Sequence, residues 1–351
     1  MAVAGLGSAN VQSIAELSRG SAGILGTGSA LPKRVLSNKE LSQFLDTTDE
    51  WILDRVGIAT RHVAGEGEST VDLAYAASQQ ALAAAGLSAQ DIDLILFATV
   101  TGDQLLPSAA ALLQDRLGAS GCMAFDLAAA CSGFLFGLTV ADSMQRASGF
   151  GPALVIGSEN LSRMIDWTDR QTCVLFGDGA GAVVYDARSS RQPVILASDL
   201  HTDGNKKDLI CRPGCAFPKA TLPAEIASFD ENTATPYVQM RGREVFKSAV
   251  TMMCDSIEAV LAEAECTIDD VKLFVPHQSN KRMVEAVCDR IGLTDWSRVA
   301  MNIERVGNTS AASIPIALHE AVMEGGVERG DLVLMTAVGA GITYGSVLLR
   351  W

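Results

Sequence analysis

The sequence predicts an α/β protein built from two related halves, and three observations carry that prediction. First, Ala81 to Thr99 (ALAAAGLSAQDIDLILFAT) aligns without a gap on Val260 to Gln278 (VLAEAECTIDDVKLFVPHQ), 179 residues further on. Each copy reads as the end of an Ala-rich helix, a Ser or Thr turn followed by Asp, and a short buried strand. Second, the register continues downstream. DLAAACS (Asp126 to Ser132) and NIERVGN (Asn302 to Asn308) follow the two copies at nearly the same distance, and LVIGSE from Leu154 matches LVLMTA from Leu332. Third, apolar strand-like runs alternate with helical stretches along the chain, the pattern of parallel or mixed sheets covered by helices.

Residues 1–22 precede the first strand and read as a peripheral extension. The first half, residues 23–188, offers the strands GILGTG, LILFATV, MAFDLAA, ALVIGSE and GAGAVVYD. These are continuous apolar runs, as strands buried on both faces must be. The polar stretch ARSSRQ serves as the crossover to the second half, residues 189–351, with PVILASDL, LFVPHQ, VAMNIE, LVLMTAVG and YGSVLLRW. Between Asp203 and Thr235 lies an insertion rich in Pro, Gly and polar residues, long enough to cover an active site.

A chain of 351 residues can build two domain-sized cores, and 48% apolar with 19% charged residues suits a packed enzyme. The net charge of -14 argues against nucleic acid as the main partner, because phosphate binding needs concentrated Lys and Arg. No run reaches the roughly 18 apolar residues of a membrane helix. The N-terminus lacks the basic start and apolar stretch of a secretory signal, so a cytoplasmic protein with reduced thiols is expected. Eight cysteines are present, none with the paired spacing of a zinc ribbon, and no metal site is expected.

Three residues stand out chemically. Cys131 follows AAA and precedes SGF and a helical run, a strand, tight turn and helix start of the nucleophile-elbow kind. A thiol at a helix N-terminus feels the positive end of the dipole, which predicts a lowered pKa. His277 in VPHQSN closes a strand at its C-terminal end, where open sheets bind ligands. Asn308 in VGNTSAAS sits in a Gly-Asn turn that opens a helix. Each is weak alone, but the repeat puts all three at or near corresponding ends of related halves. His62, His201 and His319 follow no comparable motif and read as structural.

TTDEWILDRVGIATRHVA, AAACSGF, DWTDRQTCVLFGDGAGAVV, GREVFKSAV, VPHQSNKRM and VGNTSAAS, in that order, resemble 3-oxoacyl-acyl-carrier-protein synthase III, the initiating ketosynthase of fatty acid synthesis. The resemblance runs from about Ala22 to Trp351. It implies a thiolase-like fold, two five-stranded α/β units stacked as an α-β-α-β-α sandwich, in a homodimer. It also implies acyl transfer from an acyl-CoA to Cys131, then decarboxylative condensation with malonyl-acyl carrier protein aided by His277 and Asn308, without metal or redox cofactor. The backbone amides of Cys131 and Ala340 would form the oxyanion hole. Trp51, Arg55 and Arg170 would hold the adenine of coenzyme A, and Gly242 and Asn280 would line the pantetheine tunnel. Lys247 and Arg282 would meet the acidic carrier protein. GDGAGA reads as close packing.

The chain departs from the enterobacterial pattern at Leu106 and Val338, each in place of Phe at or near the acyl pocket, and at Ala340 in place of Gly. Asp289 stands where some relatives are basic. The main alternative is a ketosynthase III-like enzyme of secondary metabolism or cofactor synthesis with another primer or acceptor. A thiolase proper is disfavoured because VGAGITYGS lacks the second Cys. A papain-like hydrolase would also use Cys, His and Asn, but not a duplicated fold; a non-catalytic subunit would not need all three.

Overall fold

The computed structural model describes residues 22–188, 193–212 and 237–351. The extension before residue 22, Cys215 and most of the 203–235 insertion lie outside the described residues. The strands of the first half are β1 (Gly23–Ala30), β2 (Arg34–Ser37), β3 (Thr60–Val63), β4 (Leu94–Ala98), β5 (Met123–Leu127), β6 (Ala153–Asn160) and β7 (Asp178–Asp186). Those of the second are β8 (Ile195–Thr202), β9 (Ile210–Cys211), β10 (Gln239–Met240), β11 (Val271–Pro276), β12 (Leu332–Gly339) and β13 (Thr343–Arg350).

The sequence repeat is a repeat of local structure. In each copy an Asp carboxylate accepts the backbone N–H three residues earlier, Asp91 from Ser88 and Asp270 from Thr267, both at 2.8 Å. That closed turn feeds β4 in one half and β11 in the other. The sheets then share one topology. The first has the order β1-β7-β6-β4-β5 and the second β11-β12-β13-β8. The β4–β6 and β11–β12 pairs are parallel, whereas β6–β7, β1–β7, β12–β13 and β8–β13 are antiparallel. Among the described residues the second sheet thus lacks the expected fifth strand: VAMNIE makes one parallel bridge, Val299 with Phe274, before the short helix Ile303–Val306 begins. Asn302, with its backbone N–H bonded to Gln278, ends the extended run.

The five layers follow from the faces of the strands. On β4, Leu94 and Leu96 join one core cluster while Ile95 and Phe97 join another, the two-residue period of a strand covered on both sides. On β11, Leu273 and Val275 face the same central cluster as Leu94, and Phe274 faces outward. The central cluster also takes Phe134, Leu135 and Leu138 from helix Gly133–Ser148 and Ile314, Ala317 and Leu318 from helix Ser313–Met323. These two helices are the middle layer. Helices Thr70–Ala85 and Ala109–Leu117 cover the first sheet, and Gly242–Glu263 and Lys281–Ile291 the second. Each fully buried Leu or Phe stabilises this sandwich by ~2 kcal/mol. The GDGAGA run is close packing: a Cβ at Gly181 would meet the backbone of Pro315 and Ile316 at 2.7 Å.

Candidate active site

Two tight turns meet where the halves meet. Residues 130–132 form a single 3-10 turn that runs directly into helix Gly133–Ser148, and residues 310–312 form its counterpart before helix Ser313–Met323. Both turns start on a non-glycine residue at positive φ, Ala130 at 46° and Ser310 at 51°. L-residues seldom adopt that region, so its appearance at matching places marks one elbow used twice. Cys131 occupies the second position of the first elbow, and Ala311 the same position of the other.

A cavity of about 1180 Å³ opens over these turns and is lined by Cys131, His277, Asn308, Ser310, Val338 and Ala340, among others. His277 follows β11, its backbone N–H bonded to the Thr336 carbonyl at 2.8 Å. Its Nδ1 lies 2.6 Å from Ser313 Oγ. We assign the ring proton to Nε2, because the Ser313 hydroxyl can donate to Nδ1 and leaves Nε2 to the cavity. Burial lowers the His277 pKa to about 3, so the ring is neutral at physiological pH. Asn308 is clamped by its backbone, accepting from Gly177 N–H and donating to the Leu175 carbonyl, each at 2.9 Å. Its Oδ1 accepts from Ser310 N–H at 2.9 Å, which turns the Nδ2 donor toward the cavity.

Cys131 departs from the sequence expectation in one respect. Burial pushes its thiol up to about 12; a hydrogen bond with Ser310 opposes the rise and the charge of Glu159 adds to it. The helix start is present, but loss of water outweighs it in the resting protein. The site therefore holds a thiol rather than a standing thiolate.

The expected carrier-binding residues gather at the cavity mouth. The guanidinium carbons of Arg55 and Arg170 lie 5.3 and 5.2 Å from the Trp51 ring centroid, within the range of cation–π attraction. Gly242 opens helix Gly242–Glu263, and Asn280 caps helix Lys281–Ile291 by accepting the Arg282 N–H at 2.9 Å; both line the cavity. Arg282, also on the cavity wall, pairs with Asp54 at 2.8 Å. Lys247 is exposed, in a separate hollow with Arg241 and Glu244, and Asp289 is exposed on the Lys281–Ile291 helix. Leu106 does not line the cavity of its own chain; it is 82% exposed. Two residues that the sequence reading passed over belong to the site, Glu159 and Ser310. The signal for Glu159 was an acid at the end of an apolar strand, where the repeat places Ala337.

The family model for 3-oxoacyl-[acyl-carrier-protein (ACP)] synthase III matches residues 125–204, and the model for its C-terminal part matches residues 261–351. The beta-ketoacyl-[acyl-carrier-protein] synthase III of Rhodospirillum centenum is 46% identical over 331 residues, covering 93% of this chain and 98% of that protein. The chain belongs to the 3-oxoacyl-[acyl-carrier-protein] synthase III family. It is a ketosynthase of fatty acid biosynthesis, an acyltransferase with the thiolase fold. The 3-oxoacyl-[acyl-carrier-protein] synthase III of Aquifex aeolicus VF5 superposes with a TM-score of 0.85 at 44% identity, covering 94% of this chain and all of that one. The priming ketosynthase of the R1128 polyketide pathway also matches, with a TM-score of 0.83 at a lower 34% identity, covering 93% and 96%.

Proposed function

We propose that Cys131 carries the acyl group in the condensation of an acyl-CoA primer with malonyl-acyl carrier protein, yielding 3-oxoacyl-carrier protein, coenzyme A and carbon dioxide. The thiol sulfur attacks the primer thioester, and coenzyme A leaves. Malonyl-carrier protein then enters the same cavity and loses carbon dioxide. His277 Nε2–H and the Asn308 amide donate to the enolate oxygen that this creates, and a neutral imidazole suits that task because it need not be charged to donate. The enolate carbon attacks the acyl-Cys131, with the backbone amides of Cys131 and Ala340 receiving the oxyanion. None of these bond changes requires an electron acceptor. No metal or redox cofactor enters the scheme.

The observation that carries this reading is the convergence of Cys131, His277 and Asn308 on one cavity whose mouth holds the Trp51, Arg55 and Arg170 cluster. An aromatic face between guanidinium groups suits a nucleotide base bearing phosphates. Arg282 on the cavity wall and Lys247 in the neighbouring hollow supply positive charge on an otherwise acidic enzyme, which favours docking of an acidic carrier.

A homodimer completes the proposal. Leu105 and Leu106 are 77% and 82% exposed, in the segment that follows β4, and the neighbouring β5 is the edge strand of the first sheet. Apolar side chains so exposed beside an open strand edge need a cover. A second copy would provide it and direct Leu106 toward its neighbour's acyl pocket. The reading is tested by intact-mass analysis after incubation with a panel of acyl-CoA thioesters. The parent should gain one acyl group and Cys131→Ala none; an undiminished adduct on the variant would overturn it.

A further inference from the structure

The scheme above leaves one buried acid unused. Glu159, on β6, has no accessible surface. Its Oε2 accepts from Val100 N–H and Thr99 Oγ1, each at 3.1 Å, and from Thr101 Oγ1. Its Oε1 is turned the other way and accepts from Ser310 Oγ at 3.0 Å. Ser310 is the positive-φ residue of the second elbow, which packs against the elbow of Cys131, and both residues line the cavity. The Ser310 hydroxyl thus stands between the elbow that carries Cys131 and Glu159 Oε1.

Two groups near the thiol are candidates to receive its proton. Burial makes the His277 ring a poorer base and the Glu159 carboxylate a stronger one, and only Glu159 is bonded to Ser310 Oγ. Among the described residues Glu159 makes no ion pair, and neutral donors hold its ionised form. The titrating group that faces it across Ser310 is Cys131 itself. Asp178, on the adjoining β7, is occupied by Ala64 N–H and Ser162; Arg163, beyond the end of β6, pairs with Asp103.

We propose that Ser310 and Glu159 are the proton path by which Cys131 is deprotonated as it attacks the acyl thioester. The Sγ–H bond breaks while the Sγ–acyl carbon bond forms. The thiol proton passes to Ser310 Oγ, whose own proton passes to Glu159 Oε1, leaving a neutral acid and an oxyanion on the former carbonyl. Collapse of that intermediate breaks the bond to the coenzyme A sulfur. The proton returns from Glu159 through Ser310 to the leaving sulfur, which departs as a thiol. Transfer is concerted with attack, since a thiol held at about 12 furnishes almost no free thiolate at neutral pH.

The inference rests on Cys131 being the acylated residue, and its test is independent of acyl-CoA and carrier protein. The rate of Cys131 alkylation by iodoacetamide is measured by peptide mass spectrometry from pH 5.5 to 9 in the parent, Ser310→Ala and Glu159→Gln, with melting curves for each. The parent rate should rise with a midpoint near pH 7 and then level. Both variants should lose the midpoint, fall about a hundredfold at pH 7.5, and climb tenfold per pH unit, with the double variant no slower than either single one. If Glu159→Gln fails to fold, Ser310→Ala decides, because Oε2 keeps its three donors and the Ser310 N–H still holds Asn308. A Ser310→Ala protein that keeps the parental midpoint, or alkylates within twofold of the parental rate, overturns the path.

Discussion

Gly339 closes β12 against the turn that carries the nucleophile, and its replacement by Ala gives a sharp test of how tightly that turn is held. A Cβ added there would lie 2.6 Å from Cys131 N and 3.2 Å from both Ala130 Cβ and Ser132 N. Ordinary contact begins near 3.4 Å, so strand and elbow must separate by 3.4 − 2.6, or 0.8 Å. No flexible side-chain end can yield, since the nearest atom is backbone. A displacement of about 1 Å at a reacting centre costs on the order of 10²-fold in rate, or about 2.7 kcal/mol of barrier. Overpacking of this kind costs a further ~1–3 kcal/mol of stability. Rapid-quench measurement of acyl transfer to Cys131, with urea unfolding alongside, reads both quantities. Gly204→Ala is the control, because a Cβ there meets nothing within 4 Å. An acyl-transfer rate for Gly339→Ala within threefold of the parent would refute the claim that backbone spacing at this contact sets the geometry of attack.

His277→Ala and Asn308→Ala should still accept an acyl group at Cys131 while losing condensation, each by about 3 kcal/mol of barrier; release of carbon dioxide from malonyl-carrier protein at the parental rate would contradict the assignment. His277 also predicts a pH dependence of stability. Its folded pKa of about 3 lies below the usual 6.5, so an unfolded chain binds a proton that the folded one refuses. This contribution is full above pH 6.5 and lost as pH falls toward 3, at ~1.4 kcal/mol per unit. Urea unfolding of His277→Gln between pH 4.5 and 7 should show that slope reduced, and an unchanged slope would oppose the reasoning. Leu106→Phe should shift preference toward short primers, each methylene accommodated being worth about 0.8 kcal/mol; the ratio of kcat/KM for acetyl-CoA and an eight-carbon acyl-CoA measures it, and an unchanged ratio would move the end of the pocket elsewhere.

The sheets were legible because their strands, covered on both faces, are continuous apolar runs, and the duplication repeated most of them. That Cys131, His277 and Asn308 would meet at one cavity was legible from the repeat, each lying where its half predicts a strand or turn end. The two-stranded β2–β3 sheet was not. RVLS and TRHV read as polar, and the second carries Arg61, which is fully buried with its guanidinium on Asn38 Oδ1, the Leu36 carbonyl and the Val174 carbonyl. Nothing local in a sequence announces a buried cation whose partners lie 23 and 113 residues away. The charge state of Cys131 was misjudged because a dipole can be read from a motif, whereas desolvation depends on what the rest of the chain stacks above it. Glu159 was missed on the same ground: its meaning comes from Ser310, 151 residues further along.

The paired elbows also bear on salt. A Cβ at Gly133 would lie 3.5 Å from Ala311 Cβ, so the start of one central helix nearly touches the turn that leads into the other. Two positive helix ends are thus aimed at one cavity floor, beside a neutral imidazole. This electropositive lining belongs to the backbone at the floor of the cavity, away from the charged residues at its mouth. Raising ionic strength will screen the approach of an acidic carrier to Lys247 and Arg282 at the surface. It will screen the partly buried floor of the cavity less, so the bond-making steps of the enzyme depend less on the electrolyte than its encounters do.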